Sequence, residues 1–307
     1  MINPAAIIHP VETHPNAVIK AIASRDAQNA KTTAKQYNVK RAYGSYEELL
    51  ADPDIDAVYI SLPNGMHAEW AEKTLAAGKH ALIEKPLCSN AEEAVTIFET
   101  AMKHNKVAVE AFHWRFHPAA HIVKSLVQSG RYGRVLSTFF LDGTNPETIE
   151  YAETRPLKND SRVDDAMDVR MELKTDRGVV QSGIHTDMDQ PFLGHVIPKV
   201  WELPSIQIEL DHATIYYYNF MIPHLYHFIQ VTDKRTGQTH TQKHYSFGPS
   251  WSPRYQLEAF VDKVTGKESV HWVDPEDSIV QMQTLDAIYE KSGLGKRPST
   301  SSIAKKK

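Results

Sequence analysis

The tripeptide Glu84-Lys85-Pro86 closes the apolar run Ala81-Leu82-Ile83. A lysine placed there can serve as an acid, a base or an electrostatic clamp on a substrate oxygen. Its plainer role is that of a solvated lysine at a strand end, and spacing alone leans toward that role. Pro86 has no N–H and stops the strand from pairing further. His117 and His121 stand four apart, a spacing that can chelate. Pro118 makes that stretch a helix start, and no third ligand is suggested, so no metal site is expected. His185-Thr186-Asp187-Met188-Asp189 gathers an imidazole and two carboxylates. It could hold a metal or act as a base, but a polar loop is the better reading.

Strand, helix and strand must position Lys85. Residues 57–61 form a short apolar run closed by Leu62-Pro63-Asn64-Gly65. Residues 66–77 read as a helix, and the run before Lys85 as the next strand. That is a parallel crossover unit, in which ligands sit outside the carboxyl ends of the strands. Pro63, Asn64, Glu84, Lys85 and Pro86 all fall at such ends. Helices are expected over 27–37, 46–50, 91–103 (capped by Ser89 or Asn90) and 119–129, with a strand over 106–112. At the start, Asn3 can cap a helix and Pro4 fits its first position. Farther on, a strand is expected over 134–142. Hairpins follow over 167–173 with 179–184, 206–210 with 213–220, and 225–231 with 239–245. Such a run suggests a largely antiparallel sheet. The consecutive Tyr216, Tyr217 and Tyr218 should alternate between its faces. Helices are expected over 255–264 and 275–291.

Glu84-Lys85-Pro86 resembles the Glu-Lys-Pro signature of the Gfo/Idh/MocA oxidoreductase family. The surroundings match as well: Ser45-Tyr46-Glu47-Glu48-Leu49-Leu50, Leu62-Pro63-Asn64-Gly65 with His67, and Ala76-Ala77-Gly78-Lys79-His80. Glu110-Ala111-Phe112-His113-Trp114-Arg115-Phe116-His117-Pro118 and Gly130-Arg131-Tyr132-Gly133 continue the likeness. It is closest to the branch of dihydrodiol dehydrogenases and NADP-dependent xylose dehydrogenases. The match is close over residues 2–141 and looser over 163–293.

The resemblance implies an α/β fold with an incomplete Rossmann-type parallel sheet over residues 1–113. An α+β domain with a mostly antiparallel sheet follows over 114–294, for substrate and dimer contact. Residues 295–307, rich in Ser, Thr and Lys, are expected to be a disordered tail. Lys85 is implied as the catalytic residue. Ser24, Arg25, Leu62, Pro63, Asn64, His67, Glu84, Pro86 and Arg115 are implied as cofactor-binding. Residues 18–23 resemble the family's second strand, after which Arg25 is placed to meet the 2′-phosphate of NADP. A surface pairing of Arg25 with Asp26 or a nearby carboxylate is the plainer alternative. Arg115 and His117 would line the cleft, although a structural ion pair at Arg115 is as good a reading.

Two pieces of the family pattern are absent. The family's first strand and its Gly-x-Gly-x-x-Gly/Ala loop should precede the helix near Pro4, yet the first glycine is Gly44. Without that strand, its two neighbours would present unpaired apolar edges. Either the segment was lost or the start of the gene was placed too late, and the cost of bare edges favours the second. The other absence follows the strand at 134–142. Residues 143–162 hold no histidine, no Gly-Gly pair and no helical period, so the family's catalytic helix is expected to be missing.

A chain of 307 residues can bury a sizeable core. Its net charge of -4 gives no drive toward nucleic acid. The single cysteine, Cys88, excludes an internal disulfide and suits a reducing compartment. No apolar run approaches a membrane span and no signal-peptide pattern opens the chain, so a cytoplasmic protein is expected. Three functions stay open at this level. The first is an NADP-dependent oxidoreductase acting on a hydroxyl-bearing carbon of a sugar or cyclic diol, with a homodimer through its C-terminal sheet as the expected assembly. The second is a non-redox cyclase, isomerase or dehydratase. The third is an inactive scaffold.

Overall fold

The computed structural model describes residues 4–138, 146–175, 178–187, 203–245, 252–269 and 271–299. The chain divides into two compact units. The first comprises Met1–Phe116, Trp251–Pro275 and Ser299–Lys307, the second His117–Ser250 and Glu276–Pro298.

The first unit is built from parallel strands joined by helices, but its strands fall into two separate sheets. β1 (Ala21–Ala23) pairs with β2 (Arg41–Tyr43), and α2 (Ala27–Gln36) makes the crossover. The Asp26 side chain caps α2, accepting from the amides of Gln28 at 2.8 Å and Asn29 at 3.2 Å. Ser45 caps α3 (Tyr46–Ala51) by accepting from Glu48 N. β3 (Ala57–Ile60), β4 (His80–Glu84) and β5 (Ala108–Ala111) form the other sheet, in that order. α4 (His67–Ala76) and α5 (Ala91–Lys103) make the crossovers, and Asn90 caps α5.

Three details depart from the sequence expectations. The strand over 18–23 is cut to β1, because only those residues have partners across from them. β2 was not foreseen, since Arg41-Ala42-Tyr43 carries no apolar run. The first helix, α1, covers only Ile8–Glu12 and has no side-chain cap. Asn3, expected to cap it, lies outside the described residues.

The core of this unit packs one face of β4 and β5 against a later helix, α7 (Ser252–Val264). Leu82, Val109, Ala111 and Phe116 meet Tyr255, Ala259 and Phe260, all buried. Fully burying a side chain of this size stabilises by roughly 1.5–3 kcal/mol. Between β1 and β3 no strand pairing exists, and a cavity of about 590 Å³ lies there. Polar clamps tie the two sheets together at the amino ends of their strands. Arg41 reaches Asp52 at 2.6 Å and Asp54 at 2.5 Å. Lys20 Nζ donates to Asp54 O at 3.1 Å, and the buried Lys79 Nζ donates to the carbonyls of Asp52 and Ile55.

The second unit begins with α6 (Pro118–Gln128), whose first amides include Ala119 N, donating to His117 Nδ1 at 3.2 Å. Its sheet contains β6 (Val135–Thr138), β7 (Pro146–Leu157), β8 (Asp160–Thr175), β9 (Gly178–Asp187), β10 (Ser205–Leu210), β11 (Ala213–Tyr218), β12 (Phe228–Asp233) and β13 (Thr239–Gln242). The order is β13-β12-β11-β10-β6-β9-β8-β7. Every neighbouring pair is antiparallel except β6 with β9. The three expected hairpins are present. Tyr217 is buried at 1% exposure, while Tyr216 and Tyr218 share the other face with their rings 6.5 Å apart. α8 (Pro275–Lys291) adds Ile288 and Tyr289 to a core with Met167, Val169 and Met171.

Within residues 143–162, expected as a connector without a helical period, the described stretch Pro146–Leu157 forms the long strand β7. Its ladder with β8 runs from Pro146 opposite Leu173 to Leu157 opposite Asp160, with several register shifts. Pairing with a long neighbour overrides the weak local pattern. Among the described residues no helix lies between α6 and α7.

Two outcomes are expected. The Asp54 amide, donating to the Asp52 carboxylate, comes first, then Arg41 and Tyr43, and together they lower its pKa from 3.8 to about 2. Its stabilisation is therefore complete above the unfolded value near 3.8 and is lost as pH falls through about 2. Urea midpoints of wild type and Asp52→Asn should differ at neutral pH and converge over that interval. Gly133 has φ 84°, and a Cβ there would stand 2.7 Å from Asp211 Cβ. Gly133→Ala should destabilise by roughly 1–3 kcal/mol in the same assay.

Candidate active site

The carboxyl ends of the first unit's strands carry the polar residues singled out in the sequence. Ser24 and Arg25 follow β1, and Leu62, Pro63 and Asn64 follow β3. Glu84 ends β4, with Lys85 and Pro86 next, and His113 to Arg115 follow β5. Register places Ile60 beside Ile83 and Glu84 beside Ala111, so the last three strands end on one rim. This is the rim on which ligands of open α/β sheets bind.

Lys85 is exposed, as is Arg25, and neither has a side-chain partner among the described residues. Asp26, the alternative partner of Arg25, spends its carboxylate on capping α2. Both cations are therefore available to an anionic or hydroxylic ligand. Ser24 Oγ accepts from Asp26 N at 3.3 Å and so shapes the turn that presents Arg25.

His67 is 1% exposed and braces the rim from beneath. Its Nδ1 lies 2.9 Å from Pro86 O and its Nε2 2.7 Å from Leu62 O. It thus ties the loop after β3 to the loop after β4. Pro63 O accepts from Met66 N at 2.8 Å, closing the turn at Asn64–Met66. Arg115 is buried, 8% exposed, in the turn His113–Phe116.

Sequence reasoning missed a polar chain next to Lys85. Tyr59 Oη donates to Glu84 Oε1. Glu84 Oε2 accepts from Lys85 N at 3.1 Å, and His113 Nε2 stands 3.8 Å from Glu84 Oε1. His113 Nδ1 in turn meets Gln256 Oε1 at 2.9 Å. Burial, followed by the Glu84 carboxylate, raises the Tyr59 pKa, which keeps the phenol protonated. Burial lowers the His113 pKa, against the pull of Glu84, so the ring is neutral at pH 7. The one sequence signal for His113 was its place directly after a strand. Gln256 comes from α7 and gave none.

In the second unit, His185 Nδ1 lies 3.4 Å from Asp168 Oδ2, and Asp187 is held by Arg155 at 2.5 Å. Met188 and Asp189 lie outside the described residues. Among the described residues no group of three or more His, Cys, Asp or Glu side chains could hold a metal ion.

Residues 4–112 match the family described as "Oxidoreductase family, NAD-binding Rossmann fold". The chain is 32% identical over 310 residues to D-xylose 1-dehydrogenase (NADP(+)) 2 of Haloferax volcanii, covering 90% of each. It is 40% identical over 117 residues to trans-1,2-dihydrobenzene-1,2-diol dehydrogenase of Xenopus tropicalis, covering 38% of this chain and 36% of that protein. In fold it is similar to a 3-ketoreductase from Actinomadura kijaniata solved with TDP-benzene and NADP. That likeness has a TM-score of 0.74 at 20% identity and covers 94% of this chain and 95% of the other.

The Glu84 carboxylate favours the imidazolium form of His113. Glu84→Gln should therefore lower the His113 pKa further. An NMR titration of the ring protons checks this, and an unchanged pKa would mean that the pair does not interact.

Proposed function

This chain belongs to the Gfo/Idh/MocA oxidoreductase family, and from that premise we propose that it oxidises or reduces a hydroxyl-bearing carbon of a sugar or cyclic diol with NADP. The carrying observation is the exposed, unpaired Lys85 on the rim of β4, beside the Glu84–Tyr59–His113 chain. The relatives acting on xylose and on a dihydrodiol support the substrate class, and they favour a redox enzyme over a non-redox one or a scaffold.

Arg25 and Lys85 fit the two ends of such a dinucleotide. Arg25 would meet the 2′-phosphate with its planar fork, Ser24 would hold the turn, and Pro63 and Asn64 would line the path between. Glu84, Leu62, Pro86 and His67 would fix the loop around the reacting end, and Arg115 would support it from within. NADP, when bound, supplies the hydride acceptor or donor. As a substrate hydroxyl becomes a carbonyl its proton must leave; Lys85 would hold the oxygen as the ammonium, or take that proton as the neutral amine. Glu84, engaged by Tyr59 and by the Lys85 amide, fixes the backbone from which Lys85 projects. Among the described residues no glycine-rich turn stands on this rim to cradle a pyrophosphate, and its grip is that of the two ends.

Residues 1–113 would serve as the dinucleotide-binding part and 114–294 as the substrate and dimer part, joined as a homodimer through the C-terminal sheet. Among the described residues no helix is long and apolar enough to cross a membrane. A reducing cytoplasm suits the single, buried Cys88.

NADPH titration followed by fluorescence should give a dissociation constant weaker than micromolar. Arg25→Ala should weaken NADPH at least about tenfold and leave NADH unchanged, since a charge-assisted contact is worth ~1.5–3 kcal/mol. Equal effects on both would remove Arg25 from the phosphate. Lys85→Ala should abolish turnover of xylose or a dihydrodiol while shifting stability by only about 0.5 kcal/mol. Turnover retained by that variant would reject the role of Lys85.

A further inference from the structure

The ring of His113 is held on one side and uncommitted on the other. Its Nδ1 lies 2.9 Å from Oε1 of Gln256, a side chain of α7 with no exposed surface. A carboxamide oxygen only accepts, so Nδ1 carries the ring proton. Burial favours the neutral ring, which therefore presents Nε2 as a bare lone pair. That nitrogen stands 3.8 Å from Glu84 Oε1, beyond a hydrogen bond but well within the reach of charge attraction. His113 is partly exposed, so a proton gained at Nε2 can pass on to bulk water.

Glu84 is fixed where a positive charge on that ring would need it. Its Oε1 accepts from Tyr59 Oη and its Oε2 from Lys85 N at 3.1 Å, so neither oxygen is free to swing away. Burial and the carboxylate keep the Tyr59 phenol protonated, and it stays a donor. Burial lowers the ring pKa most, the Glu84 charge raises it, and the Lys85 charge lowers it. The partner from α7, Gln256, is uncharged, and Arg115 stands two residues on in the same turn. Lys85 and His113 thus flank one carboxylate with different capacities. As an ammonium, Lys85 can hold a developing alkoxide oxygen but has no lone pair for its proton. His113 Nε2 has the lone pair.

We propose that His113 Nε2 receives the proton of the substrate hydroxyl, while the Lys85 ammonium holds the oxygen and Glu84 stabilises the imidazolium that forms. The inference rests on the oxidoreductase reading above and assigns the proton within it. The O–H bond breaks and an N–H bond forms at Nε2. The O–H electron pair becomes the second carbon–oxygen bond as a hydride, with its own pair, leaves the carbon for the nicotinamide. In the reductive direction the imidazolium returns the proton to the new hydroxyl.

The test joins ring titration to kinetics on the full chain. Nitrogen NMR of histidine-labelled protein should show Nδ1 protonated and Nε2 bare at neutral pH. Lys85→Gln should raise the ring pKa, because it removes the cation that lowers it. The kcat/KM for oxidation of xylose or a dihydrodiol should fall about tenfold per pH unit below the ring pKa read by NMR. Glu84→Gln should move that acid limb and the ring pKa downward together. His113→Asn, which keeps a donor for Gln256 but has no basic nitrogen, should lose the limb and at least about 100-fold in kcat. A ring proton found on Nε2, a ring pKa unmoved by Lys85→Gln, an acid limb that stays in place in Glu84→Gln, or full turnover in His113→Asn would each overturn the inference and leave the oxidoreductase reading standing. A wild type that oxidises neither substrate would remove that reading, and this inference with it.

Discussion

Main-chain hydrogen bonding is the constraint on which the first unit depends. A parallel strand must find its partners through a crossover helix, and it needs one on each side to satisfy all of its peptide groups. β4 has both neighbours, whereas β1 and β3 each have one. The unit is therefore two well-formed half-sheets, each capped and helix-covered, with a gap where their edges face one another. Everything at the carboxyl rim, including Lys85, is positioned by strands that depend on those half-sheets holding their places.

What holds them is largely polar. Arg41, Lys20 and Lys79 converge on the segment Asp52 to Ile55 from three separate stretches of the chain. Arg41 is half exposed, so its ion pairs contribute modestly on their own. Lys79 is buried at 5% exposure and donates to two carbonyls of that segment. Together they fix the amino ends of β1, β2 and β3 without a ladder between the sheets. α7 then covers β4 and β5 with apolar side chains drawn from far along the chain. Polar fixation at one end leaves the opposite rim free to carry chemistry.

On that rim the groups divide between binding and support. Lys85 and Arg25 are exposed and uncommitted, while Glu84, Tyr59, His113 and His67 spend their hydrogen bonds on one another and on loop carbonyls. Burial keeps Tyr59 protonated and His113 neutral, so Glu84 faces a phenol and an uncharged ring rather than a second charge. A lysine held beside such a chain is set in place by its neighbours and is not neutralised by them.

The sequence by itself determined the local features. The Glu-Lys-Pro turn, the cap at Asn90, the crossover helices and the three hairpins are short-range, because each is specified by neighbouring residues. The family resemblance was legible for the same reason. Tertiary structure decided what depends on distant partners. β2 exists because β1 lies beside it, and β7 because β8 is long enough to template it. Gln256 reaches His113 from across 143 positions of sequence. His67, which resembled a cofactor ligand in the sequence, is turned inward onto Leu62 and Pro86 carbonyls. Periodicity and motif carry no record of such meetings, since pairing and burial energies are realised only when separate segments come together in space.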